Sequence, residues 1–154
     1  MPVRVQREDF DAGVEIARLR AADPKIGAVA AFIGVARDIN DGDAVATLTL
    51  EHYPGMTESA LADICEQARQ RWDVAEILVV HRVGELRPTD QIVLVVVTSS
   101  HRGEAFAACQ YVMDYLKTEA PFWKKETTPA GARWVDARDS DEHARARWKD
   151  TGGR

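Results

Sequence analysis

The chain has 154 residues, of which 45% are hydrophobic and 29% charged, with a formal net charge of −5. That is enough for one domain with a core of ordinary size, and too apolar for a disordered segment. The acidic balance excludes broad nucleic-acid binding, which needs a basic face against phosphates, but leaves room for a small basic pocket.

No apolar run reaches the ~18 residues needed to span a bilayer. The start, "MPVRVQREDF", lacks the apolar stretch of a signal peptide, so a cytoplasmic location is expected. Cys65 and Cys109 lie in separate helical patterns without CxxC spacing, which fits a reducing compartment and two core thiols. His52, His81, His101 and His143 show neither HxxxH nor HExxH spacing, so no metal is expected. Phosphate-cradling glycine motifs of the GxxxxGK[ST] and GxGxxG kinds are missing too, and no nucleotide cofactor is expected.

In chain order, residues 2–6 read as a short strand, and "DAGVEIARLRAAD" as a helix ended by Pro24. The run "GAVAAFIGVA" (27–36) reads as a buried strand and the alternating "VATLTLEHY" (45–53) as a half-buried one. The loop between them, dense in Asp, Asn and Gly, suggests that the two form a hairpin. Pro54-Gly55 breaks the second strand. Thr57 can then cap a helix with Leu61, Ile64, Cys65, Ala68 and Trp72 on one face. Residues 76–86 and 91–99 read as two strands, the second so continuously apolar that both its faces should be covered. The strongest helix follows, with Phe106, Cys109, Met113 and Leu116 at core spacing and Pro121 as its stop. "FWKKETT" suits a strand or an extended segment, and "DSDEHARARW" a final helix. The expectation is one α+β domain over 1–150, mainly antiparallel, with a disordered tail at 151–154.

Three places carry chemistry. His101 and Arg102 fall in the first turn of the 101–118 helix, where free N–H groups and the helix dipole favour an anion. Arginine is otherwise disfavoured there, although an ordinary solvated turn capped by Ser100 fits the same residues. Arg37 ends the 27–36 strand and gains weight only if it converges with Arg102. Lys117 lies beside the buried helical stripe, where partial desolvation would suit it to proton transfer or to attack as an amine. Beyond Pro121, period-two alternation puts Phe122, Lys124 and Glu126 on one face and Trp123 and Lys125 on the other. No cysteine is placed as a nucleophile.

The motifs "TLEHYPGMTE", "HRVGEL", "TSSHR" and "MDYLKTEAPFWKKE", in that order, resemble the large, catalytic subunit of molybdopterin synthase, from about Gly27 to Trp148. The resemblance implies an α/β hammerhead fold and a sulfurtransferase of molybdenum cofactor biosynthesis. Such an enzyme converts cyclic pyranopterin monophosphate (precursor Z) to molybdopterin. The two sulfurs come from the C-terminal thiocarboxylate of a small ubiquitin-like subunit ending in Gly-Gly. It further implies a homodimer within a heterotetramer. Carried over by motif, Val35, Ala36, Arg37, His101, Arg102, Lys117, Lys124, Lys125 and Glu126 would bind substrate, and Lys117 and Lys124 would be catalytic. Ala36 departs from the valine common before that arginine.

Overall fold

The computed structural model describes residues 2–40, 43–135 and 139–148. The first half of the chain forms β1 (Val3–Gln6), α1 (Ala12–Ala21), β2 (Ala28–Val35), β3 (Ile39–Asn40), β4 (Asp43–Ala44), β5 (Thr47–His52) and α2 (Met56–Arg71). The second half forms β6 (Glu76–Arg82), β7 (Gly84–Leu86), β8 (Gln91–Ser99), α3 (Arg102–Glu119), β9 (Phe122–Thr128), β10 (Gly131–Val135) and α4 (Asp139–Ala146).

One four-stranded sheet has the order β1-β6-β8-β2, with β1 parallel to β6 and the other pairs antiparallel. The apolar run of β8 is explained by its central place. Val93, Val95 and Val97 face Leu61, Ile64, Ala68, Ala108 and Val112 of α2 and α3. Leu94 and Val96 face Phe10 and Leu19, the latter on α1. Each fully buried valine or leucine of that kind contributes about 1.5–3 kcal/mol. A second sheet, β10-β9-β5-β7, is wholly antiparallel, and β3 pairs with β4 alone. The α+β, mainly antiparallel expectation holds.

Three local expectations do not. β2 and β5 form no hairpin, because β2 pairs with β8, from Ala28↔Ser99 to Val35↔Gln91, and β5 joins the other sheet. A strand buried on both faces still needs a hydrogen-bonded neighbour on each edge, and β2 fills that need for β8. Phe106 is 65% exposed, because the buried stripe of α3 runs through Ala105, Ala108, Cys109, Val112 and Leu116 and leaves position 106 to one side. The N-cap of α2 is Gly55, at φ 84, a conformation that only glycine adopts without strain. Glu58 accepts a hydrogen bond from its N–H at 2.9 Å. Thr57 lies buried in the first turn, its Oγ1 donating to the Tyr53 carbonyl at 3.0 Å. The tail expected at 151–154 lies outside the described residues.

Candidate active site

α3 ends at Glu119, and the Ala120–Pro121 corner turns the chain into β9. Lys117 sits in the last turn of the helix, where a cation is favoured by the helix dipole. It is exposed rather than partly desolvated as expected, since the buried stripe ends at Leu116.

The register of β9 fixes what the two faces of "FWKKE" meet. His52↔Phe122, Leu50↔Lys124 and Leu48↔Glu126 are direct cross-strand pairs of β5 and β9. Directly opposed residues share a face, so Phe122, Lys124 and Glu126 lie on the side of Leu48 and Leu50, both buried. On the other side Trp123 stands edge-on to Tyr53 at 4.3 Å, and the Lys125 ammonium lies 5.5 Å from the ring of Trp134, its partner on β10. Alternation thus separates Lys124 from Lys125, as the sequence pattern anticipates. Glu126 is buried, and Arg133, opposite it on β10, reaches its carboxylate at 3.3 Å.

The Phe122 ring stacks on His81 of β6, with centroids 3.8 Å apart and planes 18° apart. His81 is only 5% exposed, and its Nδ1 lies 2.8 Å from the Arg82 carbonyl oxygen. Burial pushes the imidazole from its ordinary 6.5 down to about 3. The bond to that carbonyl opposes the shift, and the fields of Lys117, Lys124 and His52 reinforce it. The fields of Lys117 on α3 and Lys124 on β9 thus both act on this ring of β6, and the Phe122 stack fixes the start of β9 against it. The sequence motifs do not reveal that junction. A lone histidine in the apolar run "ILVVHRV" was the available signal.

Arg37 stands close by in the fold. Ala36 is buried with Leu48, Leu50 and Leu86, so the end of β2 adjoins the strand that opposes Lys124. The Ala36 N–H donates to the Asp90 carbonyl at 2.9 Å, and its own carbonyl accepts from Thr89 at 2.8 Å. Thr89 takes φ 77 to do so, a strained conformation for a β-branched residue. Val35 and Arg37, on either side of Ala36, are exposed.

His101 and Arg102 are elsewhere. Both are exposed at the start of α3, and His101 is its N-cap without a side-chain capping bond. Arg102 and Lys117 lie on one helix at a rise of ~1.5 Å per residue, which puts them about 22 Å apart. The β2–β8 ladder gives a similar figure, since its ends are separated by roughly 25 Å at ~3.3 Å per residue. Within one chain, then, Arg37, Lys117 and Lys124 share one end of the molecule and His101–Arg102 the other. Arg37 and Arg102 do not meet over the helix start. Cys65 and Cys109 are both buried, and burial pushes each thiol up to about 11, so neither offers a thiolate at neutral pH. Among the described residues no cluster of His, Cys, Asp and Glu is arranged to hold a metal.

Comparison with known proteins identifies the family. A family model described as MoaE protein matches residues 5–119. A molybdopterin synthase catalytic subunit of Ralstonia nicotianae is 69% identical over 146 residues, covering 95% of this chain and 83% of that protein. The solved MoaE protein of Burkholderia ambifaria superposes with a TM-score of 0.82 at 59% identity, covering 96% and 97% of the two chains. A crystal structure of molybdopterin synthase from Staphylococcus aureus gives 0.81 at 31% identity, covering 88% and 98%. With about three quarters of its length matched by the family model and such relatives spanning nearly all of it, the chain belongs to the MoaE family.

Proposed function

We propose that the chain is the catalytic subunit of a molybdopterin synthase, adding two sulfurs to precursor Z in molybdenum cofactor biosynthesis. The observation that carries this reading is the 69% identity to a molybdopterin synthase catalytic subunit over 95% of the chain, with Lys117 at the end of α3 and Lys124 near the start of β9 on either side of the Ala120–Pro121 corner. Two cations there can neutralise the charge that develops as a thiocarboxylate attacks and as the cyclic phosphate opens. Buried, protonated cysteines leave the sulfur to be supplied in trans, by the C-terminal thiocarboxylate of a small ubiquitin-like subunit. Lys117, exposed at the end of α3, is accessible to such a tail. Val35, Ala36 and Arg37 supply a phosphate-binding edge, and Glu126 shares the Lys124 face of β9, whereas Lys125 lies on the Trp134 side with a lesser part in binding. No helix of the described residues is long and apolar enough to cross a membrane, and the reading places the reaction in the cytoplasm.

His101 and Arg102 join this site through a second copy. β2 is an edge strand whose Phe32, Ile33 and Val35 are exposed. Antiparallel pairing of two β2 edges sets the Ala28 end of one copy, beside Ser99–Arg102, against the Val35–Arg37 end of the other. Each pocket of the homodimer then holds Arg37, Lys117 and Lys124 from one copy and His101–Arg102 from its partner, with a small subunit at each end of the assembly.

The test is complementation, with precursor Z and thiocarboxylated partner. Lys117→Ala and Arg102→Ala are each inactive, or nearly so, alone. Co-refolded in equal amounts, they regain about a quarter of wild-type turnover, because half the dimers are mixed and each mixed dimer holds one intact site. No recovery would show that the two residues do not complete one pocket across a dimer. A clean monomer by light scattering at micromolar concentration would overturn the shared site.

A further inference from the structure

The end of β2 is irregular where the rest of the strand is not. Its pairing with β8 runs Ile33↔Leu94 and Gly34↔Val93, then slips to Val35↔Gln91, so Ile92 has no partner on β2. The strands are close at the slip, since a Cβ on Gly34 would lie 2.8 Å from Cγ1 of Val93. A second irregularity follows at once. The Ala36 N–H donates to the Asp90 carbonyl at 2.9 Å, and the Thr89 N–H donates to the Ala36 carbonyl at 2.8 Å. Two residues thus oppose one, and the first of them has φ 77. Those are the marks of a G1 bulge, whose first residue is ordinarily glycine because its backbone is left-handed.

The turn that feeds the bulge is closed twice through Asp90. Its N–H donates to the Arg87 carbonyl at 2.9 Å, and its Oδ2 accepts from the Arg87 N–H at 2.9 Å. Pro88 in the second position and a positive φ at Thr89 in the third fit a type II turn. Threonine is a poor residue for that place, and its side chain is exposed. Such strain persists where the surroundings over-determine it, and the Ala36 hydrogen bonds are what over-determine it here.

Arg37 comes next in the chain, and its other neighbour is held as well. The Asp38 carbonyl accepts from the Val45 N–H at 2.6 Å, and the Ala46 N–H donates to the Thr127 carbonyl of β9 at 2.8 Å. Ala36 and Val45 are both buried, whereas Arg37 is exposed. Its backbone is therefore fixed between the bulge and the strand that carries Lys124. Bulges beside active sites commonly re-aim a side chain.

We propose that Asp90 is a positioning residue for Arg37. By closing the Arg87–Asp90 turn it holds the bulge against Ala36, and so sets the direction in which the arginine leaves the end of β2. Its influence passes through the Ala36 backbone and not through contact with substrate. A guanidinium fork binds a phosphate at full strength only when both of its donors are aimed, so the bulge governs substrate affinity more than the chemical step. The inference rests on the reading that Arg37 binds the phosphate of precursor Z.

The experiment uses the complete complex with its small subunit. Alanine at position 90 removes the acceptor for the Arg87 N–H, asparagine keeps one, and Thr89→Gly keeps the left-handed backbone without the side chain. Asp90→Ala is expected to raise KM for precursor Z about three- to tenfold with kcat within about twofold, and Arg37→Ala to raise it roughly tenfold or more. Asp90→Asn and Thr89→Gly should both stay within about twofold of wild type. In an Arg37→Ala background, Asp90→Ala should add nothing, because both changes remove the same contact. An undiminished effect in that background, a normal KM for Asp90→Ala, or Asn and Ala variants impaired alike overturns the proposal. A raised KM for Thr89→Gly also overturns it, because the threonine side chain and not the bulge would then be acting.

Amide hydrogen exchange gives a reading that needs no turnover. The Ala36 N–H should exchange slowly in wild type and Asp90→Asn and roughly tenfold faster in Asp90→Ala, with the buried Val95 of β8 unchanged. Equal acceleration at Ala36 and Val95 would mean a general loss of stability and would overturn the assignment. An unaltered KM in Arg37→Ala would remove the Arg37 reading and this inference together. A weakened Arg37→Ala beside a wild-type-like Asp90→Ala removes the inference alone.

Discussion

Acid should destabilise this protein earlier than its carboxylates alone would allow. His81 is held neutral by burial, its imidazole falling from an ordinary 6.5 to about 3, so the unfolded chain takes up a proton that the folded chain refuses. The associated stability is complete above pH 6.5 and is lost as the pH falls toward 3. Within that window the slope approaches about 1.4 kcal/mol per pH unit. Between pH 8 and pH 5 the two titrations differ by about 2 kcal/mol, an appreciable share of the ~5–15 kcal/mol that holds a domain of this size.

The window can be separated from other groups. Hydrogen bonds from Gln91 and the Phe10 backbone hold Asp9 below its ordinary 3.8. Burial raises Glu15, but hydrogen bonds from Arg18 and Arg4 outweigh it and leave the carboxyl below 4.5. Both contributions are complete above those ordinary values and are lost only at lower pH. Urea unfolding of wild type and His81→Gln at pH 8, 6.5 and 5 therefore reads His81. Wild type should lose about 2 kcal/mol more than the variant across that range. Equal losses would mean that the folded protein tolerates a charged His81, and the account of the ring as a buried neutral group would be wrong.

Lys124→Ala should abolish turnover whereas Lys125→Ala, on the Trp134 side of β9, should cost little; comparable losses in the precursor Z assay would contradict the role assigned to the two faces. Cys65→Ser with Cys109→Ser should retain sulfur transfer while lowering stability by roughly 1–3 kcal/mol per buried hydroxyl. A folded double variant that binds both partners but transfers no sulfur would show that a thiol takes part. Arg133→Ala should cost about 1–3 kcal/mol in urea unfolding, less than the loss of a wholly buried pair, since Arg133 is 37% exposed and Glu126 only 7%. Glu126→Gln in that background should recover part of the loss, and no recovery would mean that the carboxylate is not what Arg133 satisfies.

Periodicity was enough to locate most elements, because β8 and α3 announce themselves through residues spaced by their own geometry. Pairing was harder. Ala28–Val35 and Thr47–His52 are near neighbours in sequence, yet what decides their partners is the demand of a distant strand for a covered edge. The alternation of Lys124 and Lys125 could be read locally, since successive strand residues face opposite ways whatever the neighbours are. The junction of β6 with the start of β9 could not, because His81 and Phe122 are stacked only by long-range packing. Arg37 and Arg102 mark the opposite limit: each has a sensible local reason to bind an anion, and only the strand register shows that one chain keeps them apart.

The outer edge of β2 has a consequence for life as a free polypeptide. Most exposed strand edges carry lysine, proline or a bulge that discourages further strands from adding. Ala28–Val35 has no charge and no proline, its one irregularity falls only at Gly34/Val35, and it displays Phe32 and Ile33. A solitary copy is therefore a template for uncontrolled strand addition and aggregation. Its solubility should depend on how quickly that edge is covered, so a slower assembly rate would appear first as inclusion bodies and only afterwards as lost catalysis.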